Sequence, residues 1–295
     1  MKFYILKHNF LYNILGCKED IPTNDVDAFA IYESKNYLYN KLFIAKSQGI
    51  ESGTLYDTPK NFPVLIRPII NLHGMGKGAY IVNNIYDLRK ISDIDFWVEI
   101  IKDRHYSVDI FYNSFGILGT LCFEGTPAYQ FTFSDWTYLP KYKLPKKIED
   151  WVYKNLVGYC GVFNLEIIGD IIIECHLRMG DLNYFQNEDL LKCLIQTHNN
   201  HKVIVPELQQ IYLIPVFVQK NKYIKLSSDD IYFIVRFINA SDYILNYFID
   251  PPPDSVANPN GGDRICNFTV SNLFVGRFLR FFILNFYIPF LYKSA

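Results

Sequence analysis

The chain has 295 residues, half of them hydrophobic, 17% aromatic and 20% charged, with a formal net charge of −1. That composition builds a full core and excludes a disordered chain, and the balanced charge leaves no general field to draw nucleic acid or an anionic membrane. Six cysteines (Cys17, Cys122, Cys160, Cys175, Cys193, Cys266) lie far apart with no C-x-x-C pair, which argues against zinc or redox chemistry and suits buried thiols in a cytoplasmic protein.

In chain order, residues 1–36 form a short segment too broken by Lys7, His8 and Asn9 for a signal peptide. Residues 37–49 carry apolar side chains at helical spacing and close on Gly49, a good helix stop. A strand then runs to Arg67, a loop with Gly74, Gly76 and Gly78 follows, and a second strand covers 79–82. Alternating glycines let backbone N–H groups approach an anion, and Lys77 adds a charge there. A short helix over 85–90 leads to antiparallel strands across 96–133, with Glu99 ending the first and Asp109 inside the second.

The stretch from Gly161 to Asp181 reads as a hairpin turning at Ile168-Gly169-Asp170. Side chains alternate along a strand, so Asn164 and Glu166 share one face of its first arm, and Glu174, His176 and Arg178 share one face of its second. An apolar run of three isoleucines that ends in closely spaced ionisable groups reads as a core strand delivering a site.

Beyond residue 182, 190–197 is helical, 211–218 is an apolar strand, and 229–248 is expected as one long helix capped by Ser227 or Ser228. Residues 250–264 are dense in Pro, Asn, Asp and Gly, which makes them either a surface loop or a functional loop whose Arg264 meets a substrate carboxylate. The apolar stretch 273–292 is long enough to span a bilayer, yet Arg277, Arg280, Asn285 and Pro289 interrupt it. A buried or amphipathic terminal helix is expected there, with no membrane span.

Taken in order, the helix with Lys41, Gly49-Ile50, the strand to Arg67, the glycine loop, Val98-Glu99, Arg104-His105-Tyr106-Ser107-Val108-Asp109 and Glu174-x-His176-x-Arg178-x-Gly180-Asp181 resemble the ATP-grasp superfamily. The resemblance covers about residues 37–182. It implies an α+β fold in which two α/β subdomains with antiparallel sheets clamp a nucleotide, with 37–101 as the lid, 102–200 as the core with the metal-site hairpin, and 201–295 as a C-terminal α/β extension. The implied activity is an ATP- and divalent-metal-dependent ligation of a carboxylate to an amine through an acyl phosphate. The alternative is a clamp that keeps the shape as a binding or structural protein without turnover.

Carried over by position, the resemblance assigns Lys41, Arg67, Gly74, Gly76, Lys77, Gly78, Glu99 and Ile101 to ATP, and Arg67 and Arg178 to the transferring phosphoryl group. Glu174, Glu166, Asn164 and His176 are the implied ligands of Mg2+, or of Mn2+. Two positions depart from the family pattern: Arg67 stands in place of a lysine and His176 in place of an asparagine. A nitrogen there suits zinc or manganese better than magnesium, which prefers hard oxygen donors. The implied partners are ATP and a carboxylate or amine substrate in the cytoplasm, without nucleic acid, and a homo-oligomer is compatible with the reading.

Overall fold

The computed structural model describes residues 21–72, 76, 78–128, 132–180, 188–218, 224–249 and 263–289. In chain order its first elements are α1 (Asp25–Ile31), a 3-10 turn (Glu33–Tyr39), α2 (Lys41–Ser47), β1 (Ser52–Gly53), β2 (Val64–Pro68), β3 (Tyr80–Val82), α3 (Ile85–Leu88) and β4 (Asp95–Glu99). Next come β5 (His105–Asn113), β6 (Gly116–Pro127), β7 (Phe133–Tyr138), α4 (Lys146–Asn155), β8 (Gly161–Ile168), β9 (Ile171–His176) and α5 (Glu188–His198). The last are β10 (Tyr212–Val218), α6 (Ser228–Phe237), β11 (Ile244–Ile249), β12 (Asp263–Val270) and α7 (Leu273–Phe282), which runs into a π turn (Ile283–Tyr287). The chain divides into two compact units, Met1–Leu72 with Ile81–Cys122 and Pro140–Glu207, and His73–Tyr80 with Phe123–Leu139 and Leu208–Ala295.

In the first unit, the sequence between 37 and 49 breaks into two pieces because Asn40 is extended and its side chain accepts the Phe43 N–H, starting α2 afresh. A small sheet of order β1-β4-β2-β3 follows, with Arg67 opposite Phe96 in the antiparallel β2–β4 pair. One face of that sheet buries Val64, Ile66 and Trp97 with Leu88, and the other buries Phe96 and Val98 with Ala45 of α2. A second sheet places β5, β8 and β9 side by side, antiparallel. The tight turn expected at Ile168-Gly169-Asp170 is a two-residue loop, Gly169-Asp170, since Ile168 still pairs with Ile171, and Gly169 at φ 62 lies in the left-handed region that glycine tolerates best.

The second unit holds β10 paired with β12, β11 paired with β12, and β7 paired with β10, all antiparallel. Its core includes Ile214, Val216, Phe268 and Val270, and α7 lies close because Gly276 presents no Cβ to Ile214 and Val270. The long helix expected over 229–248 is not formed: α6 stops at its cap Ile238, Asn239 adopts φ 53, and 244–249 pair with β12 as a strand. Branched and aromatic side chains in that stretch fit a pleated surface, and pairing outweighs helical spacing. Arg264 lies inside β12, opposite Phe217, rather than in a loop. Among the described residues no helix is long and apolar enough to cross a membrane.

Candidate functional site

The site grows from the end strand of the first unit's larger sheet. An end strand leaves backbone groups unpaired, and here side chains cover them. The Gln48 amide donates to Ile172 O at 2.8 Å and accepts the Ile172 N–H at 2.9 Å, while an Arg67 nitrogen donates to Ile173 O at 3.2 Å. These contacts bring α2 and β2 against β9. Register does the rest: Ser107, Glu166 and Glu174 line up across β5, β8 and β9, and Asp109, Asn164 and His176 form the next row.

Glu174 lies at the centre. Its Oε1 accepts from Lys41 Nζ at 2.9 Å and from Arg67, and its Oε2 faces His176 Nε2 at 3.3 Å. The other His176 nitrogen, Nδ1, is 3.1 Å from Asp25 of α1, and Arg178 donates to the same carboxylate at 2.7 Å. Asp25 is held there because Ala28 is fully buried, Phe29 meets the Tyr39 ring edge-on at 5.5 Å, and the Tyr39 hydroxyl accepts the Leu177 N–H at 3.1 Å. The ionic chain therefore runs from Lys41 and Arg67 through Glu174, His176 and Asp25 to Arg178.

Burial makes these charges matter. Lys41 is 5% exposed, Arg67 8%, His176 7%, Arg178 8% and Asp25 3%. Burial opposes ionisation of Glu174, but Lys41, Arg67 and His176 overcome it and hold the carboxyl well below its usual range. Asp25 is likewise held low, by His176 and Arg178 against the cost of burial. For His176, burial favours the neutral ring, yet Asp25 and Glu174 push its pKa up to about 9. Burial draws the Lys41 ammonium down in spite of Glu174. Among the described residues, Lys41, Arg67, His176 and Arg178 meet the carboxylates of Glu174 and Asp25 in one connected cluster. Asp109, near Arg178, is raised to about 6 by burial, against the Gly180 N–H and the Asn164 amide. Cations gathered in one buried cluster are suited to a polyanion.

The expected metal ligands do not assemble. Glu166 turns to His105, the Asn164 amide donates to Asp109 at 2.9 Å and Ser107 at 3.0 Å, and Glu174 is surrounded by cations. Among the described residues no group of three or more His, Cys, Asp and Glu is arranged to hold a metal ion. This donor set does not fit a divalent ion, whose nearest neighbours at Glu174 would be like charges.

Other expected positions are dispersed. Alternation along β4 puts Glu99 on the face of Trp97, opposite the face that Arg67 shares with Phe96. Its carboxylate accepts the Glu51 N–H at 3.1 Å and helps line a cleft of about 230 Å³ with Val64, Trp97 and Lys102. Ile101 lies in the loop beyond β4. Gly76 and Gly78 both take positive φ, at 64° and 79°, while Gly74, Lys77 and Asp181 lie outside the described residues. Sequence reasoning missed Asp25: at the first position of α1, next to the cap Asn24, it looks like an ordinary helix-start acid.

No protein-family model and no curated protein matches the chain. Its fold does match solved structures. An L-amino acid ligase from Bacillus licheniformis aligns at a TM-score of 0.56 and 10% identity, over 84% of this chain and 72% of that one. An N5-carboxyaminoimidazole synthetase from Staphylococcus aureus, complexed with ADP, aligns at 0.57 and 12% identity over 86% and 72%. The chain has the ATP-grasp fold. A third ATP-grasp structure, the biotin carboxylase domain of Hydrogenobacter thermophilus 2-oxoglutarate carboxylase with MgADP, ADP and bicarbonate, aligns at 0.51 and 13% identity over 81% and 63%. Within this fold, the cationic cluster joins α2 and β2 to the β8–β9 hairpin.

Proposed function

We propose that the chain binds ATP, taken as its magnesium or manganese complex, and uses it to join a carboxylate to an amine through an acyl phosphate. The observation that carries this reading is the buried cluster of Lys41, Arg67, His176 and Arg178 gathered around the carboxylates of Glu174 and Asp25. Neighbours in fold that were solved with ADP or MgADP support the nucleotide. In the proposed reaction a substrate carboxylate oxygen attacks the γ-phosphorus and ADP leaves. The amine nitrogen then attacks the acyl carbon, phosphate departs and the amine gives up a proton. Lys41 and Arg67 hold the phosphate chain, and Arg178 balances charge on the transferring group, so that catalysis is positioning and electrostatic stabilisation.

A second reading, a clamp that binds nucleotide without turnover, is favoured by His176 in place of the family asparagine and by its engagement with two carboxylates. Thermal unfolding with a non-hydrolysable ATP analogue, in magnesium and then in manganese, tests the shared part of both readings. Binding at a hundred times Kd adds about 2.7 kcal/mol, so an absent shift at millimolar analogue would remove both. Phosphate release from ATP in the presence of mixed carboxylates and amines separates them.

A further inference from the structure

The second row of the site carries an arrangement that the nucleotide reading alone does not require. His176 Nδ1 lies 3.1 Å from both Asp25 oxygens, and Nε2 lies 3.3 Å from Glu174 Oε2. Both ring nitrogens are thus turned to carboxylate oxygens of the protein, and neither faces an open ligand position. Glu174 has both oxygens engaged with cations, and a divalent ion placed there would stand beside Lys41 and Arg67. Asn164 gives its amide to Asp109 and Ser107, and Glu166 faces His105.

Resting on the ATP-clamp reading, we infer that Asp25 and Glu174 hold both ring nitrogens of His176, so that β9 supplies no metal ligands and any divalent ion is held by the nucleotide alone. Asp25 is then a positioning residue: it touches no phosphate and acts through the ring and through Arg178, to which it is also bonded at 2.7 Å. The mismatch between the expected ligand set and the observed one becomes the distinguishing property of this clamp.

The test is the affinity of the full chain for a non-hydrolysable ATP analogue, measured with excess magnesium and again with excess chelator. Chelation is expected to weaken binding by less than about tenfold. A larger loss overturns the inference and leaves the nucleotide reading standing, whereas no uptake under either condition takes down both. His176→Asn returns an amide oxygen to the position and is expected to raise the metal dependence above that tenfold; an unchanged dependence counts against the inference. Where that variant fails to fold, 15N spectra of histidine-labelled wild-type protein carry the test alone. Both His176 nitrogens are expected protonated at neutral pH, and an unprotonated nitrogen overturns the assignment.

Discussion

Asp25 and His176 face each other at 3.1 Å although 151 residues of chain separate them. The contact ties the first helix to the last strand of the site, and Asp25 is 3% exposed, so its charge has little water to fall back on. Asp25→Asn keeps the shape and removes the anion, leaving His176 and Arg178 without it. Removing one partner of a buried pair costs about 3–5 kcal/mol. Denaturant unfolding should show a loss of that size, and a change below about 1 kcal/mol, the worth of an exposed ion pair, would mean that Asp25 is not holding the cluster.

The raised pKa of His176 has a definite consequence for stability against pH. Below the ordinary value of 6.5 both folded and unfolded chains carry the proton, and the stabilisation is fully present. Between 6.5 and about 9 the unfolded chain releases the proton while the folded one keeps it. Stability therefore falls as pH rises through that window, by about 1.4 kcal/mol per pH unit from this group. Comparing the unfolding free energy of wild type and His176→Gln across the window isolates the contribution. Parallel curves would show that the ring gains no proton affinity from Asp25.

Glu174→Gln separates two roles that the wild-type residue combines. The carboxylate neutralises Lys41, Arg67 and His176, and it competes with any incoming phosphate for the same cations. The variant should lose about 3–5 kcal/mol of stability without ligand, because the cations lose their buried counter-charge. Inorganic tripolyphosphate should then raise its unfolding temperature more than that of wild type. An equal or smaller rise would mean that the three cations do not face the phosphate position.

Much of this site was legible in the sequence because hairpins are local. The isoleucine run, the Gly169-Asp170 turn and two-residue alternation were enough to put Asn164 and Glu166 beside Glu174 and His176, and pairing of Glu166 with Glu174 agrees with that. Asp25 was not legible, since its partners come from the far end of the unit and its own neighbourhood reads only as a helix start. Glu99 was assigned by motif order, whereas its direction depends on strand parity relative to Arg67, a property of the folded pair. The helix expected over 229–248 failed for the same reason: its second half is claimed by pairing with β12, a contact that spacing within the segment does not report.

Support for the hairpin from behind gives the last prediction. Gly161, at the start of β8, has φ 149, and a Cβ added there would collide with the ring of His198 on α5. That ring is half-buried, desolvation lowers its pKa to about 4, and its Nε2 accepts the Val162 N–H at 3.3 Å. The ring cannot swing away without giving up that bond, so Gly161→Ala meets both backbone strain and overpacking. A loss of about 1–3 kcal/mol is expected from the overpacking, with the unfavourable φ adding to it. His198→Ala removes the obstacle, so the alanine at 161 should cost less in that background, with a coupling of about 0.5–3 kcal/mol between the two changes. Strict additivity in the double-mutant cycle would show that His198 is not what excludes a side chain at 161.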